Sequence, residues 1–170
     1  VVVKPGYTLT IEPGVEVRFG GDFSLVVNGT LNAIGTQEDM IKFTSNKDQP
    51  QLGDWRSIWF INKLQASTLA SCIIQYAING TTIKNGNVQI RNCEINNNKL
   101  SGVYIRGSNI GIIEDNSIQL NRDGICLEGD TSGITILNNR ISANIDSGIN
   151  FQSAWGKYIS DIVVSGNTLS

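Results

Sequence analysis

The chain has 170 residues, 40% of them hydrophobic, a net charge of −2 with both signs scattered, three Cys and no His. That length predicts one domain, the missing basic stripe argues against nucleic acid as a partner, and no apolar run approaches the roughly 18 residues of a membrane span. Without His, zinc sites of His and Cys, Ser-His dyads and His-based acid–base pairs all lack parts, and an odd Cys count excludes a complete disulfide framework.

No signal peptide is visible at Val1. The chain opens inside a strand-like run, Val1-Val2-Val3, and reads as a piece cut from a longer protein. Leu9 and Ile11, then Val15, Val17 and Phe19, then Leu25 and Val27, then Ile41 and Phe43 alternate with polar residues at the period of a half-buried strand. Pro13-Gly14, Gly20-Gly21 and Asn28-Gly29 punctuate these runs as turns. Residues 44–55 form the longest polar gap and predict a protruding loop, because strands resume at once with Ile58 and Phe60. Ile, Val and Thr, branched at Cβ, suit a pleated surface. No window holds apolar spacing of three and four, so no helix is expected beyond a short cap.

From Cys72 onward the chain repeats itself. Cys93-Glu94-Ile95-Asn96-Asn97-Asn98, Asn116-Ser117-Ile118-Gln119-Leu120-Asn121 and Asn139-Arg140-Ile141-Ser142-Ala143-Asn144 are three versions of one block, and their last Asn recurs every 23 residues. Gly102, Gly124 and Gly148 open the strand that follows each block, and Gly80 lies 22 residues before Gly102. A period of about 21–24 residues with two or three short strands per turn predicts an all-β solenoid, a single-stranded parallel β-helix with neighbouring turns about 4.8 Å apart. Ile95, Ile118, Ile141 and Leu169 form one inward stack; Val88 and Ile90, Ile134 and Ile136, and Ile162 and Val164 form a second; Val103 and Ile105, Ile125 and Leu127, and Ile149 and Phe151 form a third. In Asn109-Ile110-Gly111-Ile112-Ile113 one residue is extra, so either Ile112 or Ile113 points inward. Asn98, Asn121 and Asn144 share one turn position, where stacked amides satisfy backbone groups at the bend. The four repeat glycines are expected in a corner conformation open only to Gly. Cys72 and Cys93 take the position of Asn116, Asn139 and Asn167. As stacked neighbours they are near enough for a disulfide, but parallel side chains strain its torsion, and the reading favours buried free thiols. The turn after Phe151 is about five residues longer than its equivalents and carries Trp155, Lys157 and Tyr158. Leu169 starts a turn that the chain does not finish, so both ends expose strand edges, and end-to-end self-association follows unless a further segment, or Trp155 and Tyr158, covers the last coil.

Tyr7-Thr8-Leu9-Thr10-Ile11-Glu12-Pro13-Gly14-Val15, Gly29-Thr30-Leu31-Asn32-Ala33-Ile34-Gly35-Thr36 with Ile41-Lys42-Phe43-Thr44-Ser45, and Gly53-Asp54-Trp55-Arg56-Ser57-Ile58-Trp59-Phe60 resemble segments of right-handed parallel β-helix repeat proteins, which often have Gly in place of Ser57. The similarity covers nearly the whole chain. It implies a right-handed coil over one domain, residues 1–170. It also implies an extracellular or cell-surface (or periplasmic) setting and contact with polysaccharide or surface glycan. The family spans surface proteins, accessory proteins and polysaccharide-processing enzymes.

Alternation makes a second group of residues point outward from the third strand set: Trp59 and Ile61, Thr82 and Lys84, Tyr104 and Arg106, Cys126 and Glu128, Asn150 and Gln152. Sugar rings stack on aromatic faces, while charged and amide side chains bond to hydroxyls and carboxylates. Trp59, Lys84, Tyr104, Arg106, Glu128, Asn150 and Gln152, walled by Trp155, are therefore the candidate saccharide-binding residues, with Lys84 and Arg106 suited to acidic sugars. The plain alternative is a set of scattered surface residues. Lys84 and Arg106, one turn apart, also suit a polysaccharide lyase that abstracts a proton beside a sugar carboxylate, with Tyr104 or Glu128 near; a purely structural spacer is the third reading. Asp115, Asp123, Asp130, Asp146 and Asp161 fall at turns, where Asp serves its own backbone, so no hydrolase site is read from them. No metal site and no cofactor is expected. Cys126 reads as an isolated outward thiol. The sequons Asn28-Gly29-Thr30 and Asn79-Gly80-Thr81 coincide with turns that need Asn-Gly in any case.

Overall fold

The computed structural model describes residues 1–153 and 156–170. They coil into three faces of parallel strands. The third face is the simplest, one strand per turn: Glu16–Phe19, Ile41–Ser45, Cys72–Gln75, Glu94–Asn96, Ser117–Gln119, Arg140–Ser142 and Thr168–Leu169 stack as a seven-stranded sheet. The first face carries Val2–Val3, Ser24–Val27, Ser57–Phe60, Thr81–Lys84 and Ser147–Gln152, and the second carries Thr8–Ile11, Thr30–Ile34, Ser67–Ala70, Asn87–Arg91 and Ile159–Ser165. Ser101–Glu114 and Asp123–Leu137 run around the corner between these two faces and join them into one twelve-stranded sheet. Register shifts at Ser108 mark that corner. Among the described residues no helix is present.

Alternate residues fill the space between the faces. Ile74, Ile95, Ile118 and Ile141 stand in register and are essentially dry, and Phe60, Ile83, Ile105 and Leu127 form the equivalent stack on the first face. Each such side chain contributes about 1.5–3 kcal/mol by leaving water. Ile113 takes the inward place beside Ile90 and Ile136, and Ile112 points out. Gly111, in register with Val88 and Ile134, leaves its inward slot to the Cδ1 of Ile134. The extra residue is taken up just upstream, between Ser108 and Gly111, where three steps along one strand oppose two along the next.

From Ser71 onward, two corners of each turn are built the same way. A residue with left-handed backbone, φ between +50° and +64°, precedes each corner: Ser71, Asn92, Asp115 and Asn138 before the third face, and Tyr76, Asn97, Leu120 and Ala143 after it. Asn and Asp tolerate that conformation, whereas for Tyr76, Leu120 and Ala143 it costs roughly 1–2 kcal/mol each. Asparagine ladders hold the chain there. Asn121 Oδ1 accepts both the backbone N–H (3.0 Å) and the Nδ2 (2.9 Å) of Asn98, and Asn144 Oδ1 does the same for Asn121. Each Nδ2 also donates to an Ile carbonyl: Asn98 to Ile74, Asn121 to Ile95, Asn144 to Ile118. A second ladder runs along the other corner, from the backbone N–H of Cys93 to Asn116, then Asn139, then Asn167. The step from Asn139 to Asn167 spans 28 residues where the others span 23, which is the longer final turn.

Three local expectations need correction. The repeat glycines do not occupy a glycine-only conformation: Gly80, Gly102, Gly124 and Gly148 all have ordinary φ. They are needed for close approach, because a Cβ on Gly80, Gly102 or Gly124 would lie 2.6, 2.8 or 2.4 Å from the carbonyl oxygen of the next glycine in the stack. The polar gap at 44–55 is narrower than its composition suggests. Thr44 and Ser45 belong to a strand, and Trp55 is fully buried, stacked on Phe19 at 4.0 Å with its Nε1 donating to Gln75. The loop between them is tied by Asp54, which accepts from Ser45 Oγ, Lys47 Nζ and the Gln51 amide. Cys126 points away from the axis yet is only 3% exposed, covered by its neighbours on the sheet. Cys72 and Cys93 are buried free thiols.

Candidate functional site

The outward residues of the first face fall into two rows across the strands. Trp59, Thr82, Tyr104, Cys126 and Asn150 are in register in one row, and Lys84, Arg106, Glu128 and Gln152 in the other. Parallel pairing puts Trp59 and Tyr104 two strands apart, about 10 Å. Each lies in its own depression, and Asn79 borders both. Trp59, 37% exposed, sits with Arg56, Ile78 and Thr82 in a depression of about 180 Å³. Tyr104 lines a larger concavity of about 440 Å³ with Leu100, Ser101, Arg122, Asp123, Cys126, Glu128 and Gln152.

Hydrogen bonds fix the larger concavity. The Tyr104 hydroxyl donates to Glu128 Oε2 at 2.5 Å, and Arg106 Nη1 stands 4.0 Å from Glu128 Oε1. Burial, then the bond to Glu128, pushes the Tyr104 phenol up to about 12. Asn150 Nδ2 donates to Asp123 Oδ1 at 3.1 Å. Arg122 Nε donates to Asp146 Oδ2 at 2.5 Å on the rim, which holds its charge in place. Burial, followed by the charges of Asp123 and Glu128, pushes the Cys126 thiol up to about 11, so it is a protonated part of the floor and not a reactive thiolate.

Of the sequence-predicted residues, Tyr104, Glu128 and Gln152 line this concavity, Asn150 supports it through Asp123, and Trp59 belongs to the adjoining depression. Lys84 is in register with Arg106 and exposed, but it lines neither depression. Arg106 and Lys157 converge above Gly129, where a Cβ would meet Arg106 Nε at 3.8 Å and Lys157 Cδ at 3.4 Å. The cations therefore gather at the corner that leads to the second face. Trp155 lies outside the described residues. Tyr158, expected over the end of the coil, is exposed, with its amide donating to Asp130.

Sequence reasoning missed Asp123, assigning it to a turn. Its position is the one just before each repeat glycine, occupied by Asn79, Ser101, Asp123 and Ser147, and Ser101, Asp123 and Ser147 pair in register along the edge of the face. The signal was present in the repeat: where Gly packs against the next turn, the residue before it must face outward.

A family model for the right-handed β-helix region matches residues 58–170. No curated protein and no solved structure matches the chain.

Proposed function

We propose, for a chain that belongs to the right-handed β-helix family, a non-catalytic module that binds polysaccharide along its first face. One observation carries the reading: two aromatic side chains stand in one row of the sheet, each in a depression, beside a row of Lys84, Arg106, Glu128 and Gln152. Exposed aromatics on a sheet with polar residues at hydrogen-bonding reach suit the two faces of a sugar ring, apolar on one side and hydroxylated at the edge. An extracellular or cell-surface setting is part of this reading, because polymeric glycan is displayed there.

The lyase alternative lacks an equivalent observation. Tyr104 is held protonated by its burial and its bond to Glu128, and Lys84 lies outside the concavity, so the base that such chemistry requires is not assembled around Tyr104. Titration of the folded protein with a panel of soluble polysaccharides, followed by calorimetry, tests the reading. Trp59→Ala and Tyr104→Ala should each weaken binding by about 1 kcal/mol or more, the usual loss for a stacked aromatic. Binding that survives both substitutions together would place the site elsewhere. Release of unsaturated uronate, read by absorbance, would favour the lyase.

A further inference from the structure

The charged lining of the Tyr104 concavity consists of Asp123, Glu128 and Arg122. Arg122 turns its Nε to Asp146 on the rim, so its charge is matched there. Glu128 accepts the Tyr104 proton through Oε2, and Arg106 approaches Oε1 no closer than 4.0 Å. Asp123 is the least satisfied. It is 6% exposed, Asn150 donates to its Oδ1, and among the described residues no donor reaches its Oδ2. Among the described residues only Thr81 Oγ1 is a buried side-chain oxygen without a partner, so the Asp123 Oδ2 opens to the concavity, where it can accept from a ligand. Here a half-paired carboxylate borders an open concavity with a second carboxylate and a phenol ring. The negative field reaches the floor, since both carboxylates disfavour ionisation of Cys126. The cations Lys84, Arg106 and Lys157 sit at the neighbouring corner and line no part of it.

We propose that this concavity is a subsite for a protonated amine on a sugar ring, a hexosamine unit with a free amino group within a polysaccharide. The inference rests on the saccharide reading above and names its class of sugar. An ammonium group offers three donors, and the free Oδ2 of Asp123 supplies a charged acceptor, which makes the stronger hydrogen bond, while Glu128, five residues further along the same strand, adds to the negative charge of the concavity. The Tyr104 ring provides the stacking surface and favours a cation near its face. N-acetylation removes the charge and one donor pair, and a uronate would meet two carboxylates of its own sign.

The test is calorimetric titration of the folded protein with glucosamine oligomers, N-acetylglucosamine oligomers, galacturonate oligomers and spermidine. Glucosamine oligomers should bind at least tenfold more tightly than their N-acetylated counterparts. Asp123→Asn should abolish most of that preference, and Glu128→Gln should act in the same direction, which keeps the test available if the first variant does not fold. Equal affinity for the amine and acetylated oligomers, or an undiminished preference in a folded variant, would overturn the assignment. Spermidine binding as tightly as the glucosamine oligomer would overturn it too, since the ring would then contribute nothing. Preference for galacturonate would end this inference and leave the saccharide reading standing; failure of every sugar to bind would end both.

Discussion

Asn121 is the best place to measure what the ladder contributes. Its side chain is fully buried. Replacement by Ala removes the acceptor shared by the Asn98 amide and Asn98 Nδ2, and the donor to the Ile95 carbonyl. Asn98 Nδ2 keeps its bond to Ile74, so the Asn98 N–H loses its partner outright, while the Ile95 and Gln119 carbonyls each lose the Asn121 amide donor. A buried polar group left unpaired costs about 1–3 kcal/mol and a lost hydrogen bond about 1 kcal/mol, which places Asn121→Ala at about 2–4 kcal/mol. The same change at Asn144 leaves the Asn121 amide without its acceptor, but Asn144 is only half-buried and lies in the last complete turn, where water substitutes. Its cost should stay near 1 kcal/mol. Urea unfolding followed by circular dichroism, with the slope checked for each variant, separates the two. Equal costs at Asn121 and Asn144, or a cost below 1 kcal/mol at Asn121, would mean that apolar stacking holds the corners and the amides are incidental.

Four further outcomes are expected. Ile118→Asp places a charge in the dry stack of Ile95, Ile118 and Ile141 and should prevent folding; a soluble variant with unchanged thermal stability would refute the register. Gly102→Ala brings a Cβ to 2.8 Å from the Gly124 oxygen and the Ile118 Cγ2, and should cost about 2 kcal/mol, whereas Gly20→Ala, with nothing within 4 Å, should be close to neutral by the same melts. In an ultraviolet titration Tyr104 should ionise near 12, later than an ordinary tyrosine; because its folded value is raised, the stability it contributes is complete below about pH 10 and is lost as pH climbs toward 12, and Glu128→Gln should bring the ionisation earlier. Residues 1–170 taken alone expose Val1, Val2 and Leu169 at the two ends of the coil and should self-associate with rising concentration in sedimentation, and a monomer at the highest soluble concentration would show that these edges do not pair.

The coil was legible because its constraint is periodic. A stack of Ile95, Ile118 and Ile141 must recur at the length of one turn, and the ladder of Asn98, Asn121 and Asn144 recurs with it, so the repeat identifies both. The second ladder was harder to see. Asn116, Asn139 and Asn167 are separated by unequal lengths of chain, and upstream the position is filled by Cys93, which offers no amide. Alternation correctly placed the two outward rows, since the period of two is a property of the backbone. It could not say how deep each row lies. Cys126 and Tyr104 both point outward, yet Cys126 is covered and Tyr104 half-buried, because adjoining turns supply Glu128, Asn150 and the Ser101–Asp123 edge, and depth depends on those neighbours. Trp55 shows the opposite failure. Its surroundings in sequence are polar, yet its ring completes the core beside Phe19 through a contact no local pattern records.

The two ladders pin two corners of the turns from Ala77 onward, whereas the third corner is held by separate bonds, from the Gly86 N–H to Asn109 Oδ1 and from the Ser108 N–H to Asn85 Oδ1. At the corner between the first and second faces the chain turns over Asn85-Gly86 in one coil and Gly107 to Asn109 in another, and in the last it passes between the strands Ser147–Gln152 and Ile159–Ser165; the strands on either side stay in register. Length can be inserted there without unzipping the ladders, since an excursion that leaves and returns at that edge does not alter the phase of the stack. The same corner carries Arg106 and Lys157 and borders the Tyr104 concavity. Binding chemistry can therefore be rewritten beside a site whose floor is held constant, and a library of loops grafted between Ser153 and Ile159 would vary recognition while leaving the folding of the coil largely untouched.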